Sequence, residues 1–335
     1  MTNSTTDRAA WNRCRYLPGE QGGHYESYFQ RANHPSRPLA FWIRYTIFSP
    51  RGRPDDAVGE LWAIYFDGEA GRIAAAKEVL PFSQCAFSAT GLDVRLAWAA
   101  LSDGWLEGRA ASAGHALHWS LRYTGDDPPL LLLRPSMYES GFPKAKALVG
   151  TPHAVYQGSL LVDGDAVEVD GWVGSQNHNW GSRHTDRYAW GQVAGFDGEP
   201  HAFLECSTAR VRLGPLWTPW LTLVVLRADG QEFALNSLAQ AVRAYGRFSY
   251  FNWRFDSRAP GVRIYGQIEA PASAFVGLRY DNPPGGHKTC LNTKLAACRL
   301  TLERPVRPSR TFTTQHRAAF EILTDDQAHG VPVVV

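Results

Sequence analysis

Apolar and polar residues alternate along this chain in short runs, broken every eight to twelve residues by Gly, Pro and Asp. Successive side chains of a strand point to opposite faces, so such alternation is the mark of β-structure. Leu39 to Phe48 is the clearest case. Phe41, Ile43, Tyr45 and Ile47 share one face, and Trp42, Arg44, Thr46 and Phe48 share the other. Both faces are largely apolar, so this strand is expected to be covered on both sides. Arg44 would then need a polar partner, and Glu26 is a plausible one. Further strands are expected at 60–66, 92–100, 105–111, 115–123, 130–134, 145–155 and 157–162. The second half repeats the style at 188–196, 202–211, 221–227, 232–235, 243–248, 250–256, 262–270, 275–280, 289–302 and 318–323. The pairs Asp67-Gly68, Asp103-Gly104, Asp163-Gly164, Asp197-Gly198 and Asp229-Gly230 suit hairpin turns. Residues 1–20 read as an arm, and the Ala-rich run 73–79 as a short helix. Roughly seven to nine strands per half are enough for one closed or nearly closed antiparallel barrel each. The expected fold is therefore all-β, with an N-terminal barrel over 1–170 and a C-terminal barrel over 171–335.

Composition narrows this picture. With 335 residues, 44% hydrophobic and 20% charged, each half can bury a core. The net charge is +2 and no basic run occurs, so no nucleic-acid partner is expected. There is no secretory pattern at the N-terminus and no apolar run of about 18 residues, so no transmembrane segment is expected. Cys14, Cys85, Cys206, Cys290 and Cys298 are odd in number and dispersed, which suits free thiols and a cytoplasmic location.

Chemistry concentrates in the middle, at residues 171–192, where three Trp and two His lie among Asn, Gln, Arg and small residues. Such a mixture suits a pocket with aromatic walls and a few placed polar heads, or a buried polar network. Read as a hairpin, its first strand turns Trp172, Gln176, His178 and Trp180 one way and Val173, Ser175, Asn177 and Asn179 the other. The return strand adds Tyr188, Trp190 and Gln192. His178, His184 and Asp186 match no common zinc or iron spacing, so no metal is expected. Gly174-Ser175-Gln176 lacks the G-x-S-x-G frame, so no serine hydrolase is expected, and no phosphate-binding glycine loop is present, so no nucleotide cofactor is expected. Acid–base chemistry on an apolar substrate fits better. A carboxylic acid among aromatic rings has its pKa raised by desolvation and can protonate a carbon–carbon double bond, with aromatic faces steadying the cation. Glu26, Asp186 and Glu205 are the available acids. Asp186 is flanked by Arg183 and Arg187, which favours an ion pair there. A second motif, 279–294, could rim a pocket, although a solvated hairpin suits its charged members better.

The run Asn177-His178-Asn179-Trp180-Gly181, followed by Tyr188-Ala189-Trp190-Gly191-Gln192, resembles a segment of the two-domain lipocalin-like proteins. That superfamily includes carotenoid 1,2-hydratase (hydroxyneurosporene synthase), the AttH proteins and, more distantly, tocopherol cyclase and fungal Diels–Alderases. His24-Tyr25-Glu26-Ser27-Tyr28-Phe29 is similar to their N-terminal aromatic-acidic strand. The resemblance implies two consecutive lipocalin-like barrels with the central motif at their interface. It also implies a cofactor-independent hydratase, isomerase or cyclase of isoprenoid- or polyketide-like molecules. In that reading Glu26 or Glu205 is the acid, and His178 and Asp186 position or relay a proton. Trp42, Trp172, Gln176, Asn177, Trp180, Tyr188 and Trp190 contact the substrate. The hydratase branch has an acid immediately before the motif His, and here that position is Asn177. An amide cannot protonate an alkene, so a carrier of an apolar ligand and a pericyclic cyclase acting by shape alone stand as alternatives.

Overall fold

The structure, a computed structural model, describes residues 4–335. Two large antiparallel sheets carry the chain, one of twelve strands spanning 24–181 and one of ten spanning 187–324. The all-β expectation and the two lipocalin-like barrels both hold. In the first sheet, His24–Asn33 pairs with Leu39–Ser49 on one side and with Asp165–Gly181 on the other. The edge strand Arg72–Pro81 closes this barrel against its far side through side chains. The Lys77 amide donates to Ser112 Oγ at 2.8 Å, and the Ala111 amide donates to Glu78 Oε1 at 2.7 Å. In the second sheet, Arg187–Phe196 lies between Glu199–Arg210 and Arg307–Thr324.

Strand alternation explains how two cores and an interface come from the same elements. Phe41, Ile43 and Tyr45 point into the first barrel, where Trp119 donates to the Tyr45 hydroxyl at 3.0 Å. Ala189 and Val193 point into the second, where Trp253 donates to Thr208 Oγ1 at 3.0 Å. The intervening residues point outwards, and the two outer faces pack on each other. Phe29, Trp42, Trp62 and Phe66 from the first sheet meet Trp190, Leu278, Tyr280 and Leu323 from the second. Arg227 donates to the Pro128 and Pro129 carbonyls at 2.7 and 3.0 Å, and Asn33 to the Lys294 carbonyl at 2.7 Å, adding polar ties. Gly174 lets the first strand approach closely: a Cβ there would lie 1.7 Å from the Arg31 carbonyl oxygen.

Four expectations change. The run 73–79 is part of strand Arg72–Pro81, because pairing with Val58–Asp67 overrides alanine's helix propensity. Its small side chains suit both faces: Ala74 and Ala76 sit in the barrel core, and Ala75 sits at the interface. Residues 92–100 form two short strands, Asp93–Leu96 and Ala99–Ser102, turned at Ala97 with φ 47°. Residues 4–12 of the expected arm form a helix, Ser4–Asn12; the arm's first three residues lie outside the described ones. The central stretch is not a hairpin. Asp165–Gly181 pairs only within the first sheet and Arg187–Phe196 only within the second, so Ser182 to Asp186 carry the chain from one barrel to the other. Among the described residues no helix is long and apolar enough to cross a membrane.

Candidate functional site

Because the central strands belong to different sheets, the expected site residues divide between two places. Gln176, His178 and Trp172 face the inside of the first barrel. Trp172 packs on Phe41 and close to Tyr156, and Gln176 exchanges hydrogen bonds with Asn12. Trp180 lies at that barrel's mouth, beside Tyr138 and under the Arg15 guanidinium, which is 4.6 Å from its ring. Glu26, from the adjacent strand, is fully buried in the same compartment. Its carboxylate accepts from the Arg15 and Tyr16 amides at 2.8 to 2.9 Å and from the Tyr28 hydroxyl at 3.1 Å. It also contacts His24 at 3.0 Å and His178 at 2.7 Å. The other nitrogen of His178 faces the Trp11 carbonyl at 3.0 Å, so both ring nitrogens lie against oxygens, while burial pulls the imidazole's pKa down against the opposing pull of Glu26. Burial alone would push the Glu26 carboxyl up, but the hydrogen bonds and charges of His178 and His24 outweigh it and hold it far below the ordinary range. This is an ionised, saturated carboxylate that clamps the N-terminal segment to the barrel. It is not the partner of Arg44, which lies on the opposite side of the sheet.

Asp186 is in the crossover. It pairs with Arg183 and accepts from the Arg212 amide at 2.8 Å, with Lys288 4.0 Å away. The ion pair expected from its sequence neighbours is formed with Arg183, whereas Arg187 pairs with Asp325 at 2.7 Å.

The other site residues meet between the barrels. A cavity of about 220 Å³ lies there, lined by Trp42, Asn177, Tyr188, Trp190 and Glu205. Its size suits a compact ligand or one end of a longer one. The lining is mostly aromatic and aliphatic, with Phe29, Leu132 and Leu223 among the wall residues. His184 stacks on Tyr25 with 4.0 Å between centroids, and burial lowers its pKa to about 3, so it is neutral.

Glu205 is the acid of this cavity. It is 2% exposed, on strand Glu199–Arg210 with Phe203 and Ser207. Trp190 Nε1 donates to one carboxyl oxygen at 2.7 Å, and Gln192 Nε2 donates to the other at 2.8 Å. No cation of the described residues lies within 4.0 Å of it. Desolvation dominates and raises its pKa to about 7, despite those two hydrogen bonds and the charge of Arg31. Both oxygens keep a lone pair for their donors when one is protonated, which leaves the acid proton free to point at the cavity.

Gln192 sets this geometry. Its side-chain oxygen accepts from Arg31 Nε at 2.7 Å and from Ser175 Oγ at 2.6 Å, so its nitrogen must donate. That nitrogen serves both Glu205 and Asn177 Oδ1, the latter at 2.8 Å. Asn177, standing where the resemblance expects an acid, is thus one amide away from the acid that the cavity contains.

Several wall residues were not singled out from the sequence. Tyr25, Tyr280 and Glu321 line the cavity, and Glu321 holds Lys294 at 2.8 Å. The motif 279–294 contributes Tyr280 to the wall, and its Lys294 is fully buried, so the solvated reading fails for that charged member. Alternation along 287–304 was the available signal, since Cys290, Asn292 and Lys294 share a face.

No family model matches the chain. An uncharacterized protein of Mycobacterium tuberculosis is 26% identical over 316 residues, covering 90% of this chain and 91% of its own. Solved structures are similar over most of their length. An AttH-like protein from Nitrosomonas europaea aligns with a TM-score of 0.56 at 14% identity, covering 92% of this chain and 98% of its own. Kievitone hydratase from Nectria haematococca gives 0.53 at 10% identity, covering 92% and 90%. CghA gives 0.54 at 9% identity, covering 93% of each. These likenesses are likenesses of fold: the chain shares its overall two-barrel architecture with these three proteins.

Proposed function

We propose that this protein is an enzyme that binds a hydrophobic small molecule between its barrels and acts on it by general acid catalysis. The observation that carries the reading is Glu205, a buried carboxyl without a cationic partner in an aromatic cavity, with its pKa raised to about 7. A group so placed is close to half protonated near neutral pH, which is the condition for efficient proton donation. Its proton passes to an alkene or enol carbon of the substrate. The electron pair of the double bond forms the new C–H bond, and the neighbouring carbon becomes cationic. The ring faces of Trp42 and Trp190 stabilise that charge. Capture by water with loss of a proton gives hydration, and loss of a proton from carbon gives isomerisation. Attack by a second double bond gives cyclisation. Trp190 and Gln192 orient the acid, and Asn177 and Arg31 hold Gln192. Glu26 and His178 have a structural part, and Asp186 secures the crossover. The likeness in fold to a protein named kievitone hydratase adds support for hydration among these outcomes.

The test is incubation of the full chain with an apolar extract of its source cells in D2O, with products followed by mass spectrometry. Turnover that fixes one solvent deuteron at carbon, and is lost in Glu205→Gln, is expected. Recovery of a bound but unchanged molecule identifies a carrier instead. Turnover without deuterium, retained in Glu205→Gln, identifies catalysis by shape.

A further inference from the structure

Resting on this reading of the cavity, we infer that the substrate carries an anionic group, a carboxylate or comparably acidic oxygen function, which Arg44 binds.

Arg44 projects from strand Leu39–Ser49 towards the second barrel and lines the cavity that contains Glu205. It is 5% exposed. Its guanidinium lies 4.5 Å from the Tyr280 ring and 5.9 Å from the rings of Trp42 and Trp62. Among the described residues no carboxylate oxygen lies within 4.0 Å of it, and its buried Nε has no hydrogen-bond partner. The neighbouring carboxylates are engaged elsewhere: Glu60 with Lys77 at 2.8 Å and Glu321 with Lys294 at 2.8 Å. His184 is neutral and accepts no charge from it.

The other buried cations of this interface have side-chain acceptors, although Arg31 Nη2 is without one. Lys294 has Glu321 and Asn292, and Arg31 has Gln192 and Asn33. Arg44 has ring faces and no hydrogen-bonded acceptor: burial works against its charge, and Tyr280, Glu60 and Glu321 offset that from a distance and raise its pKa. Cation–π contact alone is weaker than the desolvation that burying an ion costs. An anion that enters the cavity meets the guanidinium fork and supplies the hydrogen-bond acceptors that it lacks. The same anion opposes ionisation of Glu205 in the shared cavity and so favours its acid form.

The experiment measures binding of decanoate and of decanamide to the full chain by calorimetry. The two probes share a chain and differ in charge. Wild-type protein is expected to bind decanoate at least about tenfold more tightly. Arg44→Met is expected to weaken decanoate to the level of decanamide and to leave decanamide unchanged, which also reports that the cavity is intact. Equal binding of both probes by wild-type protein overturns the inference while the cavity reading stands. Binding of neither overturns both. A preference for decanoate that persists in Arg44→Met overturns the assignment to Arg44. If Arg44→Met does not fold, the wild-type comparison decides whether the cavity prefers an anion, and Arg44→Lys tests the residue. Lys retains the charge without the fork, so an intermediate preference is expected, and an undiminished one counts against Arg44.

Discussion

Glu205→Gln is the substitution on which the functional argument turns, and it can be tested without knowing the substrate. The carboxyl titrates at about 7 in the folded chain against 4.5 ordinarily. A raised folded pKa means that the unfolded chain releases its proton first as pH rises. The protonated form therefore supports the fold fully below pH 4.5, and that contribution is lost as pH climbs through about 7. At 1.36 kcal/mol per tenfold change in proton affinity, the loss is about 3 kcal/mol. Gln has no proton to release. Its altered hydrogen bonding to Trp190 and Gln192 adds an offset that does not vary with pH, so the informative quantity is the change in the difference between the two proteins. Urea unfolding of both, followed by Trp fluorescence at about pH 5, 6, 7 and 8, measures it. Because pH 5 already lies above the unfolded pKa, the variant should gain on the wild type by about 2.5 kcal/mol from the lowest pH to the highest, with most of the gain complete by about pH 7. A difference that stays flat across this window would show a carboxyl ionised throughout, and the case for an acid at this position would fall.

Three further outcomes follow from the same geometry. Asn177→Asp places a second carboxyl on the Gln192 nitrogen that already serves Glu205, so the pair should titrate with its upper midpoint above 7; the pH series just described measures this, and an unmoved midpoint would mean that the two groups do not interact. Glu26→Gln should destabilise the chain by about 3 kcal/mol or more, because it breaks the pair with His178 and leaves buried donors short of acceptors. Faster proteolysis within residues 11–16 should accompany that loss, and wild-type stability in urea would contradict the clamp assigned to Glu26. In Gly191→Ala the new Cβ would lie 2.4 Å from Ile268 Cδ1 and 2.9 Å from Trp253, so overpacking of the second barrel should cost about 1 to 3 kcal/mol in urea unfolding, whereas an unchanged midpoint would mean that this core yields freely.

The periodicity of the chain was enough to reveal its sheets, because each residue's face follows from counting by two. Trp42, Trp190 and Glu205 could be placed in a wall for that reason. Which wall could not be read. Residues 171–192 look like one hairpin because a turn-like segment separates two aromatic strands, yet pairing depends on distant partners: Asp165–Gly181 takes its register from His24–Asn33, and Arg187–Phe196 takes its register from Arg307–Thr324. The consequence for His178 and Trp172 is that they face away from the cavity. Glu26 and Glu205 were indistinguishable as acids in the sequence. What separates them is the set of donors brought to Glu26 from residues 15, 16, 24, 28 and 178, which only the tertiary fold assembles.

The strand His24–Asn33 has no exposed side. Glu26 and Tyr28 belong to the clamp inside the first barrel, while Tyr25, Phe29 and Arg31 belong to the space between the barrels. A deletion of one residue in its middle would exchange the two sets over half its length. It would move Glu26 towards the cavity and Tyr25 towards the histidines, so a single event would damage both compartments. Length variation among relatives of this protein should therefore be confined to the hairpin tips such as Pro50–Asp56 and Asp229-Gly230, and the span from residue 24 to residue 33 should keep its length even where its residues change.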